Sequence, residues 1–276
     1  MILTIKNHRL CVSHETPVEY VESPNQGRGR LDPRYLVIHY TAGRSLQGSV
    51  QWLSSNGSGA SAHLVIGRNG DIVQLVPFNK VALHAGRSRW RGLEGLNRYS
   101  IGIELDNAGR LIRKADSWYA WFGMPVAEQE IFEAAHKNGS DVCGWHTYED
   151  RQMEVAAKVA RTLVKHYGLF DVVGHDDIAP HRKEDPGPAF PMQSFRGMVM
   201  GRDADSFDTF ETTTRLNIRV GPGTEYSRLR RSPLACGTQL RVIAAHNSWC
   251  SVEVPGKDGM AEDTGWVHGD YIRPVI

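Results

Sequence analysis

Residues 174 to 190 read GHDDIAPHRKEDPGPAF, which places His175, Lys183 and Asp185 in one segment punctuated by Gly and Pro. A neutral imidazole and a carboxylate are both competent zinc ligands, and a catalytic zinc site takes about three protein ligands while leaving a further position for water. Two ligands in one loop therefore require a third from elsewhere in the chain. The best candidate is His39, which ends the apolar run YLVIH and is followed at once by the turn-like TAG. A histidine at the exit of a buried strand is held on a rigid element.

Placing these groups requires a sheet. Runs 35 to 39, 62 to 67, 71 to 76 and 100 to 105 are rich in Ile, Val and Leu and read as strands. Arg68-Asn69-Gly70 carries the Asn-Gly signal of a tight hairpin between two of them. A further strand, FDVVGH, delivers His175 to the same sheet edge as His39. Between Thr147 and Gly168 the apolar residues Met153, Ala156, Val159, Ala160, Leu163, Val164 and Tyr167 fall at steps of three and four, the pattern of an amphipathic helix. Thr147 with Asp150 reads as its capping box and Gly168 as its terminator. Shorter helices are expected near 46 to 54 and 127 to 137. The fold class is therefore α/β (α+β), a central mixed sheet flanked by helices.

Four blocks of this chain, VIHYTAG, SAHLVIGRNGDIVQLVPFNKVALHAG, SIGIELDN and GHDDIAPHRKEDPGPAF, occur in an order that resembles zinc-dependent N-acetylmuramoyl-L-alanine amidases of the amidase type 2 (AmpD-like) family. Together they cover most of residues 33 to 195. The resemblance implies one Zn2+ per chain, bound by His39, His175 and Asp185. It implies Glu104 of the G-I-E-L strand as the catalytic carboxylate and Lys183, eight residues after His175, as the catalytic lysine. The implied activity is hydrolysis of the amide between N-acetylmuramic acid and L-alanine in peptidoglycan or muropeptides. The alternative is a non-catalytic peptidoglycan-binding protein; relatives of that kind have lost the third ligand, and this chain keeps it.

The residue types suit the chemistry. Zinc lowers the pKa of a bound water to about 7, a carboxylate can shuttle its proton, and a fixed ammonium can stabilise the oxyanion. In IGIEL, Gly102 and Glu104 share a strand face opposite Ile101, Ile103 and Leu105. Among the other histidines, His84 in HAG suggests a loop that lines the cleft and contacts the ligand. His63 reads equally as a packed strand residue, and His181 as exposed or adjacent to the ligands. After Glu104, residues 107 to 125 hold Trp118, Tyr119, Trp121 and Phe122. Trp118 and Trp121 are candidates to stack on sugar rings, or else they cap the core.

The length, 276 residues, exceeds one hydrophobic core and predicts two domains. Residues 1–200 form the amidase-like domain, 201–208 (GRDADSFD) a polar linker, and 209–276 a small all-β barrel of short strands between Gly and Pro turns. There, LNIRVGPG and GWVHGDYI are similar to bacterial SH3 (SH3b) domains, which implies binding of wall peptides, with Trp249, Trp266 and Tyr271 as aromatic candidates.

The net charge of +1 gives no reason to expect a nucleic-acid surface, and no apolar stretch approaches the ~20 residues of a membrane span. The opening MILTIKNHRLCVSHE lacks the pattern of a secretory signal. The expected location is cytoplasmic, or the cell wall by a non-classical or phage route. The four cysteines lack CxxC spacing, so neither a zinc knuckle nor a disulfide framework is expected, although Cys236 and Cys250 could pair in an oxidising compartment. The oligomeric state is open, with a monomer favoured.

Overall fold

The computed structural model describes residues 2–13, 15–200, 209–246, 248–256 and 261–275. It divides into two compact units, one of residues 1–88 and 95–199, the other of residues 89–94 and 200–276. The expected linker, 201–208, lies outside the described residues.

The first unit is built on a six-stranded sheet. Its strands are β1 (Glu19–Tyr20), β2 (Tyr35–Tyr40), β3 (Leu64–Ile66), β4 (Ile72–Gln74), β5 (Ser100–Leu105) and β6 (Asp171–Gly174), in the spatial order β6-β2-β5-β3-β4-β1. β2, β5, β3 and β6 run parallel, and only the β3–β4 pair is antiparallel. The sheet is thus mixed, as expected. Tyr35 to Ile38 are at most 1% exposed, in keeping with the unbroken apolar runs of parallel strands covered on both faces. The hairpin turns at Gly70 (φ 88°), with the Gly67 N–H donating to the Asp71 carbonyl at 2.9 Å.

Helix α1 (Leu46–Leu53) starts at Ser45, whose hydroxyl accepts from the Gly48 N–H at 3.2 Å, and buries Val50 and Leu53 in a cluster with Val65, Val73 and Leu75. Helix α2 (Asp150–Tyr167) buries Val155, Ala156, Val159, Ala160, Leu163 and Val164. Gly168 ends it in the left-handed region (φ 63°), as its position predicts. Its start differs from expectation. The N-cap is Glu149 and no side chain caps it, so the Thr147–Asp150 box does not form. Gln152, in the first turn, is fully buried and its amide donates to the carbonyls of Ile66 and Asp106 at 2.9 and 3.0 Å, tying the helix to the ends of β3 and β5.

The helix expected over 127 to 137 is absent. Residues Ile131–Ala135 form a strand paired antiparallel with Val142–His146. Ile131 packs against Ala108, Leu111 and Ala120, and Trp145 Nε1 donates to the Ala134 carbonyl at 3.0 Å. These tertiary contacts outweigh the helical propensity of EQEIFEAA. A single-turn helix, α3 (His175–Ile178), follows β6, and α4 (Met192–Met200) closes the unit.

The second unit contains a five-stranded antiparallel sheet, β7 (Thr209–Thr212), β8 (Gln239–His246), β9 (Trp249–Pro255), β10 (Ala261–His268) and β11 (Ile272–Pro274), in the order β10-β9-β8-β7-β11. Phe210, Ile218, Leu240, Val252 and Val267 form its core. Trp266 is half-buried, whereas Trp249 and Tyr271 line a cavity of about 440 Å³ with His268, Arg215 and Asn217. No disulfide forms among the described residues, and Cys236 is exposed while Cys250 is buried. No described helix is long and apolar enough to cross a membrane.

Candidate metal centre

The parallel strands of an open α/β sheet all release their side chains at one edge, and ligand sites gather there. Here β2 ends on His39 and Tyr40, β5 on Glu104 and Leu105, and β6 on Gly174 with His175 directly after it. His39 and Glu104 are register partners on adjacent strands, so both project from the same face. Gly174 lies opposite Ile38, which sets His175 beside His39.

Asp185 arrives from the loop after α3. That loop folds back because the Asp176 N–H donates to the Asp185 carbonyl at 2.8 Å and the Lys183 N–H to the Ala179 carbonyl at 3.0 Å. Asp177 caps the start of α3 by accepting from the Gly174 N–H at 2.7 Å. Asp176, 3% exposed, accepts from Lys137 Nζ at 2.9 Å and lies 3.1 Å from His136 Nε2.

Three ligand atoms converge. His39 Nδ1 lies 3.0 Å from His175 Nδ1 and 2.8 Å from Asp185 Oδ2, and His175 Nδ1 lies 2.9 Å from the same carboxylate oxygen. All three residues are at most 6% exposed, and they form the one such cluster found among the described residues. His175 Nε2 is 3.1 Å from the Ala85 carbonyl, which can only accept, and 3.3 Å from Arg182 Nη2, whose two protons go to the Ala85 and Arg87 carbonyls at 2.8 and 2.9 Å, so the ring proton sits on Nε2 and Nδ1 offers its lone pair. Burial lowers the His39 pKa to about 4 despite the opposing Asp185, so this imidazole is neutral at neutral pH. Two neutral imidazoles and a carboxylate are the donor set of a zinc site. A tetrahedral shell with bonds of about 2.0–2.1 Å has edges of about 3.3 Å, only a few tenths longer than the separations seen here.

Glu104 and Lys183 line the same cleft, whose volume is about 800 Å³. Glu104 Oε2 is buried and has no hydrogen-bond partner. Burial pushes the pKa of this carboxyl well above the usual carboxylate range, the charge of Asp185 adds to the shift, and Lys183 opposes it. A carboxylate poised this way can take up a proton in the cleft. Lys183 is half-buried.

His84 and His181 line this cleft as well. His84, expected to meet the ligand, is 8% exposed and its two ring nitrogens face His39 Nε2 at 2.9 Å and the Ser100 carbonyl at 3.2 Å. His63 is fully buried between the Gly102 N–H and the Lys80 carbonyl, and His181 is exposed at the cleft rim. Trp118 and Trp121, expected at the cleft, line a separate groove with Arg110, Ile112 and Arg113. Trp118 packs on Ala108, Leu111 and Ala120 and is a core cap. Trp121 is 64% exposed, and its Nε1 donates to the carbonyl of Ala42, a cleft residue, at 2.7 Å. The aromatics that do line the cleft are Tyr40, at the end of β2, and Trp52, 60% exposed on α1. The signal of Trp52 in the sequence is an off-period aromatic on a short helix.

Comparison with known proteins gives two matching family models. One described as N-acetylmuramoyl-L-alanine amidase matches residues 29–188, and one described as bacterial SH3 domain matches residues 214–273. The 1,6-anhydro-N-acetylmuramyl-L-alanine amidase AmpD of Salmonella typhimurium is 38% identical over 141 residues, 50% of this chain and 57% of that protein. The N-acetylmuramoyl-L-alanine amidase AmiD of Escherichia coli is 33% identical over 182 residues, 63% of this chain and 55% of that protein. The chain thus spans little more than half the length of these relatives. A solved complex of E. coli AmiD with anhydro-N-acetylmuramic acid-L-Ala-D-γ-Glu-L-Lys covers 73% of this chain and 66% of its own, with 28% identity and a TM-score of 0.47.

Proposed function

The chain belongs to the N-acetylmuramoyl-L-alanine amidase family, and from that premise we propose that it hydrolyses the amide between the lactyl group of N-acetylmuramic acid and L-alanine, using one zinc ion held by His39, His175 and Asp185. The observation that carries this reading is the meeting of those three ligand atoms, 2.8 to 3.0 Å apart, at the strand edge that also presents Glu104. Zinc held there supplies a Lewis acid for the scissile carbonyl and a water acidified to about pKa 7.

The chain's own groups do the rest. Glu104 accepts a proton from the attacking water and delivers it to the leaving amine of L-alanine, a role suited to a carboxyl whose pKa burial has raised. The Lys183 ammonium faces the negative charge that grows on the carbonyl oxygen, a contribution of roughly 3 kcal/mol for a well-placed donor. Trp52 offers an apolar ring to a sugar at the rim. The retention of a complete ligand set favours hydrolysis over mere binding. The second unit adds an SH3-type module whose cavity, lined by Trp249 and Tyr271, serves to hold wall peptide.

The test is mass spectrometry of a soluble muropeptide incubated with the purified full chain. Release of a peptide with a free L-alanine amine is expected. Cleavage inside the stem peptide, or none with zinc bound, would refute the assignment.

A further inference from the structure

The turn at residues 84–86 touches both imidazoles of the proposed centre, and it does so through groups whose donor and acceptor roles are fixed. The Ser100 carbonyl, 3.2 Å from His84 Nε2, can only accept. The Ser100 hydroxyl, 3.4 Å from the same nitrogen, spends its own proton on the Leu96 carbonyl at 2.6 Å and so also accepts. His84 therefore carries its proton on Nε2 and presents the Nδ1 lone pair. His39 Nε2, 2.9 Å away, must donate to that lone pair. What remains on His39 is a bare Nδ1, the atom that faces His175 and Asp185. One residue further on, the Ala85 carbonyl takes the Nε2 proton of His175 at 3.1 Å; Arg182 Nη2, 3.3 Å from the same nitrogen, spends its two protons on the Ala85 and Arg87 carbonyls, so the His175 Nδ1 is left bare as well.

The turn itself is held rigidly. Asn97 Oδ1 accepts from the backbone N–H groups of His84 and Ala85 at 3.0 and 2.7 Å. Arg182, from the loop that carries Asp185, donates to the Ala85 and Arg87 carbonyls at 2.8 and 2.9 Å. The His84 ring lies on Gly102 of β5, where a Cβ would come 2.5 Å from its Cγ, and it crosses the His39 ring edge-on at 5.1 Å and 85°.

We infer that this turn is the outer brace of the metal centre, and that His84 is a positioning residue that sets the tautomer and aim of His39 while Ala85 does the same for His175. The brace rests on the reading of His39, His175 and Asp185 as metal ligands. Partners of this kind change metal affinity by about 10- to 100-fold when removed.

The test is competition for Zn2+ between a chromogenic chelator and the metal-stripped full chain, as wild type and as Asp185→Ala, His84→Leu and His84→Gln. Wild type that holds no zinc, or Asp185→Ala that holds it equally well, removes the metal centre and the brace with it. With those two arms as expected, His84→Leu, which fills the space without an acceptor, should weaken zinc binding by about 10- to 100-fold. His84→Gln, whose amide can both accept from His39 and donate to Ser100, should restore most of it. A folded His84→Leu that binds like wild type, or His84→Gln as weak as His84→Leu, would overturn the brace. A second measurement needs no variant. Nitrogen NMR of histidine-labelled wild type should show His84 as the Nε2–H tautomer with a coupling across the hydrogen bond to His39 Nε2, and the Nδ1–H tautomer would refute it.

Discussion

Glu104 and His39 are register partners on adjacent parallel strands, so the buried carboxyl and an imidazole of the proposed metal centre leave the sheet on the same face, one strand spacing apart. That spacing is about 4.8 Å. It places the proposed proton shuttle beside a proposed metal ligand, without any loop having to order first. The same ladder sets Gly102 against Val37 and clears the floor on which His84 lies.

Replacing Glu104 by Gln should lower turnover by about 100- to 10,000-fold while raising the stability of the metal-free protein. The folded-state pKa of Glu104 lies above its ordinary 4.5, so its protonated form is favoured by folding. The stability this provides is full below the unfolded value and is lost as pH rises through the folded one. Relief of a buried, unpartnered carboxylate is worth about 1–3 kcal/mol at neutral pH. Thermal melts of metal-free wild type and Glu104→Gln should therefore coincide at pH 4 and separate by pH 8. Parallel melting curves would contradict the raised pKa.

Lys183→Ala should leave zinc stoichiometry intact and lower kcat by about 100- to 1,000-fold with little change in KM, because the ammonium acts on charge that exists only in the transition state. Steady-state kinetics beside metal analysis decides it. An unchanged kcat would remove the oxyanion role.

Gly102→Ala should both destabilise the first unit and loosen zinc. A Cβ there meets His84 Cγ at 2.5 Å and Nδ1 at 2.6 Å, an overpacking that costs about 1–3 kcal/mol. Pushing the ring away also breaks the hydrogen bond to His39. Zinc affinity equal to wild type in a folded variant would show that His84 has room to shift.

Truncation after residue 200 should spare hydrolysis of a soluble muropeptide and weaken action on intact sacculi, since Trp249 and Tyr271 belong to the second unit and His39, His175 and Asp185 to the first. Rates on the two substrates, full chain against truncation, settle the point. Equal loss on both would make the SH3-type unit part of the catalytic machinery.

The residues of the proposed metal centre were legible in the sequence because each sits at an abrupt change of texture: His39 and His175 where an Ile- and Val-rich run stops, Asp185 before Pro186 in a Gly- and Pro-rich loop. The mixed sheet was legible from the Ile-, Val- and Leu-rich runs that form β2 to β6. The place of His84 was not, because its meaning depends on which atoms of Ser100, Gly102 and His39 lie around it, and strand register sets that. Gln152 was hidden too: a polar residue in an amphipathic helix reads as solvated, yet two strand-end carbonyls claim its amide. Residues 131 to 135 misled because a strand partner ten residues on outweighs local propensity.

Zinc titration bears most directly on the central claim that His39, His175 and Asp185 hold the catalytic metal. The full chain is stripped with a chelator, and turnover of a muropeptide is followed as Zn2+ is returned, for wild type and for Asp185→Ala. Turnover should be absent in stripped protein, rise linearly and break at one zinc per chain in wild type, and stay absent in Asp185→Ala. Stripped wild type that turns over at the full rate, or Asp185→Ala that recovers with zinc as wild type does, would contradict it.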